Sequence, residues 1–140
     1  MKKTILLIVT ILAFNYSSAQ FKANILQDVQ ADDISALYEI EITTNGSLNF
    51  SFSGTATKGT NHKRFNIGFG YSIESKRFDL TPSIIVGQNT GNNNRLFFGG
   101  DLDLDIFIIK WLSLTGKYRL AKAEYDNFDS HFYAGLKIKL

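Results

Sequence analysis

The sequence predicts an all-β fold: an antiparallel, up-and-down transmembrane β-barrel of eight strands. Three observations predict it. From about Ala36 onward, short segments alternate apolar and polar with no charge on the apolar side. A short apolar leader with a basic start precedes them, and tight turns alternate with longer polar connections. The alternation is clearest where Leu96, Phe98, Gly100, Leu102, Leu104 and Ile106 interleave with Phe97, Gly99, Asp101, Asp103 and Asp105. Alternate side chains of a strand point to opposite faces, so one face here is uncharged and the other carries three carboxylates. The sets Phe65, Ile67, Phe69, Tyr71, Ile73 and Phe132, Ala134, Leu136, Ile138, Leu140 follow the same rule.

The leader is read as residues 1–19. Lys2 and Lys3 supply the positive start, and the apolar run Thr4 to Phe14 is too short for a helix crossing a bilayer, which needs about 20 residues. Ser17 and Ala19 are the small residues before a cut at Gln20, leaving residues 20–140 as one barrel domain. Without Lys2 and Lys3 the chain has 13 basic and 13 acidic residues, so its formal charge is zero and charge gives no case for nucleic-acid binding. There is no cysteine, which excludes disulfides, thiolate metal sites and lipid attachment through an N-terminal Cys.

Seven strands are predicted near 34–42, 47–56, 64–74, 78–87, 95–108, 111–122 and 131–140. A closed, even-numbered barrel requires an eighth near 21–30. There Phe21, Ala23 and Ile25 supply an outer face, and Gln27, Asp28 and Gln30 interrupt the pattern. Pro82, with no amide hydrogen for a ladder, predicts a bulge or a late start in its strand. Tight connections are expected at Thr43–Gly46 (through the hairpin signal Asn45-Gly46), Glu74–Arg77 and Ile109–Lys110. Longer polar loops are expected at Lys58–Lys63, Gln88–Asn94 and Ala123–Ser130. Short turns on one rim and longer loops on the other match the layout of outer-membrane barrels. Trp111, Phe107, Phe78, Tyr71 and Phe128 fall near strand ends, where aromatic girdles meet the interface.

Parity also makes the hairpins testable. A turn centred on Lys110 puts Asp103 opposite Lys117, Asp101 opposite Arg119, and Leu102 opposite Tyr118. Glu39, Glu41, Glu74, Asp79, Asp105, Lys137 and Lys139 share the charged face. Opposite charges across a strand pair contribute about 0.2–1 kcal/mol each at exposed sites. Eight strands leave little lumen, so an interior filled by such pairs predicts a plug and no open pore.

The segments Gly99-Gly100-Asp101-Leu102-Asp103-Leu104-Asp105 and Lys110-Trp111-Leu112-Ser113-Leu114-Thr115-Gly116-Lys117-Tyr118-Arg119 resemble the penultimate hairpin of small eight-stranded outer-membrane β-barrel proteins of the OmpA/OmpX type. Phe132-Tyr133-Ala134-Gly135-Leu136-Lys137-Ile138-Lys139-Leu140 resembles the carboxy-terminal strand recognised by the barrel-assembly machinery, departing from it by ending in Leu rather than Phe. The Ser-Ser-Ala/Gln cut resembles signal peptides of the Bacteroidota. The resemblance covers most of residues 34–140 and implies export to a Gram-negative outer membrane. It further implies contact with outer-membrane lipids and lipopolysaccharide, and docking to the assembly machinery through Phe132 to Leu140.

Chemistry is sparse. His131 is expected at the outer end of the last strand, facing inward beside Glu124, Asp126, Asp129 and Ser130, with His62 in another outer loop. Some eight-stranded outer-membrane enzymes use a Ser, a His and an acid to cut acyl chains from lipopolysaccharide. A nucleophile must lie within hydrogen-bond reach of its base, and Ser130 points to the opposite face. The expectation is a rim histidine bonded to an acid, and no enzyme. Asp101, Asp103 and Asp105 match the first ligand spacing of a calcium loop, but Ile106 and Leu112 stand where it requires Gly and an acid. No cofactor or metal is called for. The leading function is a structural or surface-interaction role in the outer membrane. One alternative is a soluble, lipocalin-like barrel with its apolar face inside, since alternation alone does not say which face is inside. The other is a lipid-modifying enzyme.

Overall fold

The computed structural model describes residues 20–30, 34–44, 47–58, 63–90, 95–123 and 127–140. The expected leader, the turn residues Asn45-Gly46, and His62, Glu124 and Asp126 lie outside the described residues. The strands are β1 (Gln20–Asp28), β2 (Ser35–Thr43), β3 (Leu48–Thr57), β4 (Lys63–Tyr71), β5 (Ile73–Glu74), β6 (Phe78–Thr90), β7 (Arg95–Ile109), β8 (Leu112–Ala123) and β9 (Phe128–Lys139). β5 resumes β4 after Ser72, so the nine segments make eight staves. Every neighbouring pair is antiparallel, β1 pairs with both β2 and β9, and β4 pairs with β6, which closes the cylinder.

The region around 21–30 is thus the eighth strand. Its inner face carries Lys22, Asn24, Leu26 and Asp28, all buried, while Ile25 and Gln27 are exposed. The connections 75–77 and 110–111, with Thr44 and Ser47, lie at one end of the barrel, and residues 29–30, 34, 58 and 127 at the other. At the first turn, the Thr44 amide donates to the Leu48 carbonyl (2.9 Å) and the Ser47 amide to the Thr44 carbonyl (3.0 Å). Ser47 itself takes a left-handed conformation, φ 63°, the position glycine ordinarily fills in a bulged hairpin.

Register fixes the stagger. One chain of partners runs Gln20, Thr43, Asn49, Gly70, Ser83; another runs Thr81, Asp103, Lys117, Tyr133, Asp28. They meet two residues apart on β6 and end eight residues apart on β1, so one circuit displaces the register by ten. With the usual rise and strand spacing, eight staves and that shear give a tilt of about 40°.

Pro82 does not start β6 late and does not bulge it. It pairs with Leu102 inside a strand that begins at Phe78, and the register to β4 and to β5 is the same on either side of it. Its effect falls on the neighbour instead. The Ser72 amide donates to Ser47 of the β3 side (2.7 Å), which turns the backbone groups of Tyr71 toward Pro82, where no amide hydrogen meets them. The ladder lapses at Ser72. The register irregularity of the barrel lies elsewhere, between Phe107 and Ile109 against β8.

The apolar face is outside. Ile84 is 69% exposed, Leu96 64% and Ile25 64%, and Phe52, Phe65, Ile67, Phe98, Leu104 and Leu136 are exposed with them. The charged face is inside, so the lipocalin-like alternative, which needs the reverse, does not describe this barrel. Two lysines interrupt the uncharged outer face, contrary to the sequence expectation. Lys63 pairs with Ala56 and Thr90, and Lys122 with Phe98 and Phe128, on outward positions at the loop-side end. A long side chain at a strand end can keep its ammonium in water while its stem covers apolar surface. Phe78, Tyr71 and Phe128 point outward near strand ends, and Trp111 is exposed in the turn opposite Lys139. Phe107 does not join them: it is half-buried on the inward face at the turn-side rim, with the Lys139 ammonium 5.9 Å from its ring centroid.

Candidate functional site in the barrel interior

The interior is built in levels along the barrel axis, each dictated by which residues the pleat turns inward. At the loop-side mouth is His131. Its Nδ1 lies 2.8 Å from Asp28 Oδ2 and its Nε2 2.8 Å from Asp129 Oδ2, with Arg64 Nη1 3.2 Å from Nε2. Asp28 is buried and Asp129 exposed, so the ring bridges the lumen to the rim. Ser130, one residue back, is exposed on the opposite face. Both ring nitrogens face carboxylates, and no hydroxyl nucleophile is bonded to either among the described residues.

Below the mouth lie two small apolar clusters, Leu26 with Leu37 and Tyr133, and Ile85 with Phe97 and Ala121. They occupy inward positions near the loop-side ends of six strands. Tyr133 stacks on His131 above it (centroids 5.9 Å apart) and meets the Arg119 guanidinium below (5.7 Å), so it joins the levels.

The middle level holds the charges. Arg119 donates from Nε to Asp101 Oδ1 (2.8 Å) and from Nη2 to Asp101 Oδ2 (2.6 Å), a bidentate pair, and from Nη1 to Asn66 Oδ1 (3.2 Å). Lys117 donates to both Glu39 oxygens (2.5 and 2.6 Å) and lies 3.1 Å from Asp103 Oδ2 and 3.6 Å from Asp101 Oδ2. Lys137 bridges Glu41 Oε1 and Asp105 Oδ2, each at 2.7 Å. Asn24 donates to Glu39 (2.8 Å) and to Glu41, Asn49 donates to Glu41 (3.1 Å), and Thr115 to Asp105 (2.8 Å). All eight charged groups are at least 96% buried. Ions at such depth need partners and hydrogen bonds to offset desolvation, and here every ammonium or guanidinium touches at least one carboxylate.

Toward the turn-side rim the level is smaller and less charged. Lys22 lies 3.3 Å from Asp79, and Ser72 and Thr81 share a hydrogen bond of 2.9 Å. Glu74 is corrected here: it is exposed at the rim, paired in register with Asp79 but not part of the buried network. Lys139 is half-buried at the same rim, over Phe107. Parity places both on the inward side, but the barrel ends before it covers them. The sequence reading missed Lys22, Asn24, Asn49, Asn66 and Tyr133. Lys22 and Asn24 carried a usable signal, since they share parity with Asp28 in the strand that barrel closure demanded.

Comparison with known proteins gives fold likeness and nothing closer. No protein-family model and no curated protein matches the chain. Among solved structures, a transmembrane β-barrel from de novo design is similar with a TM-score of 0.66 at 10% identity, covering 88% of this chain and 95% of the design. A second design, TMB2.3, gives 0.61 at 12% identity, covering 88% and 94%. Neisserial surface protein A gives 0.55 at 17% identity, covering 87% and 94%. At these identities the likeness shows the fold, a closed eight-stranded antiparallel barrel with up-and-down order.

Proposed function

We propose that this chain is a small integral outer-membrane β-barrel protein with a structural or surface-interaction role, exported by residues 1–19 and closed to solute flow. The observation that carries the reading is the inversion of the usual globular arrangement. The apolar residues form the outer wall, and bidentate and bridging ion pairs fill the lumen. Soluble monomers rarely expose contiguous apolar surface beyond a few hundred Å². Lipid is the solvent in which such a wall is stable, and closure pairs each long strand on both sides, as hydrocarbon requires of spanning strands. The likeness to transmembrane barrels supports the same reading.

With Lys63 and Lys122 at the loop-side end, the outer wall suits an outer leaflet whose headgroups are anionic, as lipopolysaccharide headgroups are. The outward side chains of Phe132 to Leu140 are the surface offered to the assembly machinery before β9 pairs with β1. The test is fractionation with heat-modifiability. The protein is expected with outer membranes, and its gel mobility is expected to shift only on boiling. A soluble protein with no shift would overturn the reading.

A further inference from the structure

The turn-side rim carries positive charge that the barrel itself does not answer. Outside the buried network, the described residues there include the bases Lys76, Arg77, Lys110 and Lys139 and a single acid, Glu74. Lys139 is the clearest case. Lys22, Lys117 and Lys137 each meet a carboxylate, whereas Lys139 meets none among the described residues and lies over the Phe107 ring. The β1–β9 register also sets Lys139 directly opposite Lys22, and like charges so placed repel.

Three of these cations share one concavity. Lys76, Lys110 and Lys139, with Ser75 between the first of them and the rim, line a hollow of about 530 Å³, and no carboxylate lines it. Its apolar wall is the segment Phe107 to Ile109, which crosses the rim: Phe107 is inward and half-buried, and Ile108 is exposed in line with Ile106 and Leu104 on the outer wall. Backbone bonds hold the parts together. The Phe107 amide donates to the Arg77 carbonyl (3.0 Å), and the Lys139 amide to the Trp111 carbonyl (2.9 Å). Trp111 and Phe78 are exposed beside the hollow, and such rings sit at headgroup level in a bilayer. The hollow is thus cationic on its water side and apolar on its lipid side.

We propose that this hollow binds an anionic phospholipid, its phosphate held by Lys76, Lys110 and Lys139 and an acyl chain lying over Ile108 toward Ile106. The inference rests on the membrane reading above and names a lipid for the turn-side leaflet. Lysine ammoniums bind phosphate as point charges with three donors each. A zwitterionic lipid carries a cation of its own into a place that already holds three, so the site selects by net charge as well as by phosphate. Each lysine near an anionic lipid surface favours that lipid by about fivefold.

The single tryptophan of the chain, Trp111, adjoins Lys110 and reports on this rim. The full barrel is refolded into phosphatidylcholine vesicles holding a fixed share of brominated lipid, either phosphatidylglycerol or phosphatidylcholine, and the quenching of Trp111 is compared. Stronger quenching by the phosphatidylglycerol is expected, equivalent to a preference of about fivefold or more that weakens in high salt. Replacing all three lysines (Lys76→Gln, Lys110→Gln, Lys139→Gln) is expected to bring the two lipids to parity. Lys110→Gln alone, in the exposed turn, is expected to fold and to reduce the preference. Lys63→Gln with Lys122→Gln, at the opposite end, is expected to keep it. Equal quenching of the unaltered barrel by the two lipids would overturn the proposal and leave the membrane reading standing, whereas quenching by neither would overturn both. An undiminished preference in the triple variant, or in Lys110→Gln should the triple variant not fold, would overturn the assignment to these lysines. Inorganic phosphate added to the barrel in pure phosphatidylcholine is expected to leave Trp111 emission unchanged. A saturable change would overturn the lipid in favour of a free anion.

Discussion

Arg119 grips Asp101 through two parallel bonds, of 2.8 and 2.6 Å, across the β7–β8 pair, and both residues are buried in the lumen. The register that sets them opposite each other also sets Lys117 opposite Asp103 one step down the same face. Fork-shaped pairing of this kind is strong and directional, because a planar guanidinium matches a carboxylate edge.

Arg119→Met removes one partner and leaves Asp101 buried beside Lys117 alone. The expected cost is about 3–5 kcal/mol. The double variant Arg119→Met with Asp101→Leu removes both charges and is expected to recover most of that loss. Urea titration of the barrel in detergent measures both. Equal instability of single and double variants would mean that the pair is not the determining interaction.

Leu104 faces outward near the middle of β7, between inward-facing Asp103 and Asp105. Leu104→Arg is expected to cost about 2–4 kcal/mol in bilayers, the penalty for arginine at mid-depth on a barrel's lipid face. The check is refolding equilibrium in lipid vesicles. A change no larger than an ordinary surface substitution would place this face in water.

Glycines divide sharply by what a side chain would meet. A Cβ on Gly135 would approach the Ile25 carbonyl oxygen to 2.1 Å, whereas one on Gly54 would rest 3.5 Å from the Phe65 ring. Gly135→Ala is expected to destabilise by about 1–3 kcal/mol, since backbone must move. Gly54→Ala is expected to be neutral or to stabilise by up to about 1 kcal/mol through reduced chain entropy. Thermal conversion of the two barrels, run side by side, tests the contrast.

His131→Ala leaves buried Asp28 without the ring nitrogen it faces at 2.8 Å. A loss of about 1–3 kcal/mol is expected from the unpaired Oδ2, since Oδ1 keeps the Gln30 amide at 3.0 Å. The acyl pattern of lipopolysaccharide in cells carrying the variant is expected to be unchanged. An altered pattern would revive the lipid-modifying alternative.

The barrel was most legible where its two faces differ most in polarity. On β7 and β8, Asp101, Asp103, Asp105, Lys117 and Arg119 all fall on one side, so period and register could be read from them directly. β1 was obscure because its faces are mixed: Leu26 is buried in the lumen, and Gln27 stands on the outer wall. Lys22 was missed for the same reason, although Asp79 waits for it across the barrel. Parity assigns a side but no depth, which is why Glu74 and Lys139 were expected in the network and lie at the rim. Phe107 shows the converse, an aromatic near a strand end that points inward. The apolar clusters under the loop-side mouth were not legible at all, because Leu37, Ile85 and Phe97 follow no rule of charge and only closure brings their strands together.

The pairing of β1 with β9 joins the first and last strands of the described chain. Before β9 pairs with β1, the sheet is an open ribbon with two bare margins, and each is a template for a stranger's strand. Closure is the longest-range strand pairing in sequence among the described residues, the kind that forms slowly. The hazard of this protein is concentrated in that interval, and a carboxy-terminal truncation would make the interval permanent.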